Sequence, residues 1–118
     1  MKISERDLSI IKKIYSYCRE IDEAHNQFDN AFSSFQNNSV YRNAVCLCLM
    51  QIGELSNHLT EDFRQATADD IPWKQIRGLR NVVAHEYGNI DEESLWETIK
   101  EDIPVLCDFC KRQIEISE

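Results

Sequence analysis

From Leu95 to Ile114 the chain places Leu95, Ile99, Ile103, Leu106, Cys110 and Ile114 at successive intervals of four, four, three, four and four. That spacing follows the 3.6-residue turn of an α-helix, so these side chains share one face and require a partner surface to bury them. Pro104 lies inside the stripe, removes one backbone hydrogen bond, and should kink or interrupt the helix. The same period recurs upstream. Ser4-Glu5-Arg6-Asp7 reads as an N-cap with an acid at the capping-box position, and Leu8, Ile11, Ile14, Tyr15, Cys18 and Ile21 continue as a helix ending near Asp22. Phe28, Ala31, Phe32 and Phe35 form a second segment that ends at the polar Gln36-Asn37-Asn38-Ser39 break. Val40 to Leu59 reads as a long helix that buries Ala44, Leu47, Ile52, Leu55 and Leu59. Thr60 to Asp70 is polar and acidic, with room for one short helical turn. Pro72 fits the first turn of a further helix, Gly88 suits its C-terminal cap, and Asp91 begins the last one. No run alternates polar and apolar residues long enough for a strand, and no repeat or low-complexity tract is present. The expectation is one all-α domain over residues 1–118, an up-and-down bundle of four to five helices.

At 118 residues such a bundle can bury its own core, and often buries more by dimerising. The longest uninterrupted apolar run, Ala44 to Met50, falls far short of the roughly 20 residues of a membrane span. Lys2, Glu5, Arg6, Asp7, Lys12 and Lys13 leave no apolar signal core at the N-terminus, so a cytoplasmic protein with no membrane partner is expected. The five cysteines, an odd number, then read as reduced thiols. Cys107 and Cys110 fall at i,i+3 amid Leu106 and Phe109, and Cys46 and Cys48 point roughly 200° apart on a helix, a poor start for a tetrahedral zinc site. With Cys18 they read as small core residues. No metal and no cofactor are expected.

The segment Arg80-Asn81-Val82-Val83-Ala84-His85-Glu86-Tyr87 carries the chemistry. On a helix Asn81 and His85 share a face at i,i+4 with Arg80 on its flank, and Tyr87 returns to the arginine side if the last turn persists. An arginine fork can hold and neutralise a phosphoryl group, and a histidine can take or give its proton near neutral pH. With the ribose 2′-hydroxyl as nucleophile, that set suits RNA cleavage without a metal. Asn81 either bonds a phosphate oxygen, orients His85, or serves a helix–helix contact. The formal net charge of −8 works against nucleic-acid binding at long range. Its distribution softens the objection: Trp73 to Val83 holds Lys74, Arg77 and Arg80 with no acid, while Asp91, Glu92, Glu93, Glu97, Glu101 and Asp102 crowd the next segment. Lys74 and Arg77 are therefore RNA-binding candidates.

Arg80, His85 and Tyr87 also fit the R-x4-H-x-Y signature of HEPN domains, and the surrounding sequence resembles the HepT toxin branch of that superfamily. Arg6-Asp7 at the start of a helix, Ile52-Gly53-Glu54, the run Pro72 to Asn81, then Asn89-Ile90-Asp91, Trp96 and Pro104 extend the likeness over almost the whole chain. The resemblance implies a homodimeric HEPN bundle that brings two motif copies together across a two-fold axis. It further implies a metal-independent endoribonuclease, the toxin of a type VII toxin–antitoxin system. Tyr87 has two readings: its hydroxyl helps place substrate, and in that branch a partner nucleotidyltransferase attaches AMP to the motif tyrosine, which blocks the RNA site by bulk and charge. A rival reading is a non-catalytic subunit that docks a minimal nucleotidyltransferase and presents substrate to it.

The remaining residues read as support. Gly53 and Gly78 each mark a close helix approach, because glycine costs about 1 kcal/mol relative to alanine inside a helix; for Gly78 the alternative is room for a phosphate or a second subunit. Glu54, set among apolar positions, should pair with Arg80 or Arg77 and orient the site. His58 reads as a surface residue, His25 as part of no constellation, and Trp73 and Trp96 as core or interface anchors.

Overall fold

Side-chain oxygens set where the helices begin. In the computed structural model, which describes residues 2–86 and 91–118 and only the backbone of His85 and Glu86, Ser4 Oγ accepts the Asp7 N–H at 3.1 Å and opens α1 (Glu5–Gln27). A short α2 (Phe32–Asn37) follows, and Asn38 Oδ1 then accepts from Val40 and Tyr41 to open α3 (Ser39–Asn57). Thr60 Oγ1 accepts from Phe63 at the head of a second short helix, α4 (Glu61–Ala66). After Pro72 comes α5 (Trp73–Glu86), and Asp91 caps α6 (Glu92–Ser117) through the Ser94 N–H. The described residues thus form six helices rather than four to five, the two short ones having been read as an aromatic segment and a polar link. No strand occurs among them.

Helix α3 is the centre of the bundle. On it pack α1 and α5, α6 lies against α1, and α2 bridges α3 and α6. One apolar cluster runs through all of them, with Ile11, Ile14 and Ile21 from α1, Tyr41, Leu49 and Ile52 from α3, Ile76 and Leu79 from α5, and Leu95, Ile99, Ile103 and Leu106 from α6. The α6 stripe is buried from Leu95 to Cys110, with Ile114 partly buried at its end. The helix continues through Pro104, which faces outward, so the proline does not interrupt it. The geometry of the N-terminus has its own logic: Asp7 is buried, and its carboxylate accepts from Thr60 N at 2.9 Å, Thr60 Oγ1 at 2.7 Å and Ser4 Oγ at 3.1 Å. Three donors offset the cost of burying that charge and tie the start of α1 to the start of α4.

Two expectations are corrected. The outward face of α3 was expected inside: Leu47 is 53% exposed, Ala44 is exposed and Leu55 half-buried. Because α3 is flanked on two sides, its buried arc rotates to Tyr41, Val45, Cys48, Leu49, Ile52 and Ser56, and Val40, Ala44, Leu47 and Leu55 line an open groove against α1. The second correction is α1, which runs on to Gln27 rather than stopping near Asp22, with His25 continuing the stripe one turn beyond Ile21. Asp29 and Asn30, at φ 67° and 48°, then turn the chain in the left-handed region that Asp and Asn tolerate.

His25 is not idle. It is buried, its Nδ1 is hydrogen-bonded to the Tyr41 hydroxyl, and Trp96 meets it edge-on at 5.7 Å between ring centroids. Burial, and then the charge of Lys100, lowers its pKa, while burial pushes Tyr41 up to about 12. The folded state therefore prefers neutral imidazole. As pH falls below the ordinary value of 6.5 the unfolded chain takes up a proton that the folded chain resists, so this contribution to stability is present at higher pH and lost toward acid. Thermal melts between about pH 7 and 5 should show a steeper fall in Tm for wild type than for His25→Asn. Parallel curves would contradict this account.

Candidate active site

The site is built where α5 crosses α3. A Cβ at Gly53 would lie 2.7 Å from the backbone nitrogen of Arg80, and 3.1 Å from both Arg80 Cβ and the Ile76 carbonyl oxygen. Only glycine lets the two backbones approach this closely. One residue on, Glu54 turns its carboxylate toward α5, with Oε2 3.4 Å from Arg80 Nε and Oε1 3.3 Å from His58 Nε2. The pairing expected for Glu54 is thus with Arg80. Arg77 is held differently: its Nε donates to Asn57 Oδ1 at 2.9 Å. Arg80 Nη1 donates to Asn81 Oδ1 at 3.3 Å on the exposed side of α5.

Lys74, Arg77, Gly78, Arg80, Asn81 and Asn57 line one surface groove of about 620 Å³. Gly78 is not a close helix approach, since an added Cβ would meet nothing within 4 Å. It lies on the open side, where a ligand could come near the backbone. The side chains of Arg80 and Glu54 are 44% and 45% exposed, so their ion pair contributes little to stability, on the order of 0.2–1 kcal/mol for such pairs. Its effect is to fix the guanidinium. A cluster of three cations beside one carboxylate, open to solvent, is suited to hold a phosphodiester anion.

Two arginines brace this corner, Arg64, which the sequence did not single out, and Arg6, which it placed only at the start of a helix. Arg64 Nη1 donates to the carbonyl oxygens of Ser56 at 3.3 Å, Asn57 at 3.4 Å and Leu59, and Arg6 Nη2 donates to that of His58 at 3.2 Å. The last carbonyls of a helix lack intrahelical partners and carry partial negative charge, so cations settle there. Together they hold the stretch that presents Glu54, Asn57 and His58. For Arg64, an arginine a few residues past the end of α3 was the available signal.

The backbone of His85 lies in the last turn of α5; its side chain, Tyr87 and the expected cap at Gly88 lie outside the described residues. Trp73 anchors the other end of α5 in the core, 5.9 Å from Phe109 and 6.3 Å from Phe63 between ring centroids. All five cysteines are free, Cys107 alone being other than buried. Among the described residues no group of three or more His, Cys, Asp or Glu side chains is placed to hold a metal ion, and no helix is long and apolar enough to cross a membrane.

Comparison with known proteins bears on this geometry. Residues 14–113 match the family model described as "Ribonuclease HepT-like". The chain is 35% identical over 115 residues to "Putative RNase MJ1380" of Methanocaldococcus jannaschii, covering 97% of this chain and 99% of that protein. It is 32% identical over 111 residues to "Probable ribonuclease HepT" of Thermococcus cleftensis, covering 90% and 92%. "Putative RNase MJ0125" of M. jannaschii is 33% identical over 101 residues, covering 85% and 84%. No solved structure matches significantly.

Proposed function

We propose, for a chain that belongs to the HepT-like ribonuclease family and is an RNA-cleaving enzyme, a metal-independent internal cut of RNA at the Arg80 groove. The observation that carries this reading is the fixed guanidinium of Arg80, set by Glu54 and flanked by Lys74, Arg77 and Asn81, on the helix whose last turn carries His85. His85 takes the proton of the 2′-hydroxyl as the 2′-oxygen attacks the adjacent phosphorus. The bond from phosphorus to the 5′-oxygen breaks and that oxygen is protonated, leaving a 2′,3′-cyclic phosphate and a 5′-hydroxyl. Arg80 offsets the charge that builds on the phosphoryl oxygens.

In the same reading the protein is the cytoplasmic toxin of a type VII toxin–antitoxin pair and works as a homodimer. A single groove offers few phosphate contacts, and a two-fold axis near α5 doubles Lys74, Arg77 and Arg80. The partner is a minimal nucleotidyltransferase that attaches AMP to Tyr87, two residues beyond His85, and so brings phosphate anions to the surface that Arg80 offers to RNA.

The test has two arms. Purified protein in EDTA should cut total RNA and leave cyclic phosphate ends; intact RNA under these conditions, restored to cleavage by a divalent cation, rejects the mechanism. Incubation with the genomic neighbour and ATP should add mass in multiples of one AMP to wild type and abolish cutting. The same gain on Tyr87→Phe would move the modification elsewhere.

A further inference from the structure

The carboxylate of Glu54 serves two partners. Its Oε2 lies 3.4 Å from Arg80 Nε, and its Oε1 lies 3.3 Å from His58 Nε2, one helical turn further along α3. His58 is 59% exposed, and its ring is directed at an acid that also pairs with Arg80. We infer that His58 is a positioning residue for RNA binding: it shares Glu54 with Arg80 and thereby sets how much of the arginine's charge is left for the phosphate. The inference rests on the reading that Arg80 holds the phosphate. When His58 is protonated, Glu54 has two cations to satisfy and Arg80 is less neutralised; when His58 is neutral, Glu54 acts on Arg80 alone.

The other charged groups at this corner come from three further helices. Arg80 and Arg77 come from α5, Arg6 from α1 and Arg64 from α4, the last two bound to carbonyl oxygens at the end of α3. Asp7 on α1 is occupied by Thr60 and Ser4. Imidazole is the group here whose charge ordinarily changes between about pH 5 and 8.

The experiment is a kinetic double-mutant cycle on RNA cleavage with wild type, His58→Gln, Glu54→Gln and the double variant, at about pH 5.5 and 8.5, either side of ordinary histidine titration. For an exposed pair the expected effect is a rise in KM of about two- to fivefold for His58→Gln at the acid pH, with kcat unchanged and no change at the alkaline pH. In the Glu54→Gln background the His58 substitution should have no effect, and His58→Lys, a fixed cation, should hold the low KM at both pH values. A KM effect that persists without Glu54, or one confined to kcat, overturns the inference while leaving the function standing. Wild-type KM and kcat in Arg80→Ala would overturn both, since the phosphate would then be bound elsewhere.

Discussion

Replacing Arg80 or His85 with alanine is expected to lower the rate of RNA cleavage by about 10²–10⁴, the usual cost of removing a general acid–base or a charge-stabilising donor. Neither change should unfold the protein. The Arg80 side chain is exposed and its partner Glu54 remains solvated, so no buried charge is orphaned by its loss. Single-turnover cleavage of a defined RNA, with circular dichroism and thermal melts alongside, separates the two effects. Full activity in Arg80→Ala would move the phosphate away from the groove on α5, and full activity in His85→Ala would remove it from the proton transfer.

The second large effect is expected from a change that touches no reacting group. Gly53→Ala places a methyl 2.7 Å from the backbone nitrogen of Arg80, and a backbone atom cannot swing aside as a long side chain can. Either α5 shifts outward or α3 yields. Overpacking of this kind typically costs about 1–3 kcal/mol of stability. A displacement of about 1 Å at the site can cost on the order of 10²-fold in rate. Gly78→Ala is the matched control: it meets open space and should stabilise α5, by up to about 1 kcal/mol from helix propensity. If Gly53→Ala keeps wild-type kcat and Tm, the close crossing of α3 and α5 does not position Arg80.

Much of this architecture could be read from residue spacing. The α6 stripe, the Ser4 cap and the pairing of Glu54 with an arginine all follow from local rules, in which a period or a charge among apolar neighbours has few outcomes. What could not be read depended on which helix stands beside which. The rotation of α3 that exposes Leu47 follows from its having neighbours on two sides, and a single amphipathic pattern does not reveal this. The two glycines looked alike in sequence, yet Gly53 lies under Arg80 and Gly78 faces open space. His25 and Tyr41 are far apart in the chain and meet only when α1 and α3 pack. The arginine braces, Arg6 and Arg64, likewise acquire a role only when the carbonyls at the end of α3 come within reach.

The one-sided packing of α5 separates two kinds of evolutionary constraint. Its inward residues Ile76, Leu79 and Val83 are bound to the core, where one lost methylene is felt, while Lys74, Arg77 and Asn81 lie exposed along the groove. Substitutions at such exposed positions usually change stability by no more than about 0.5 kcal/mol. The residues along the groove can therefore be exchanged one by one without renegotiating the fold that holds Arg80 in place.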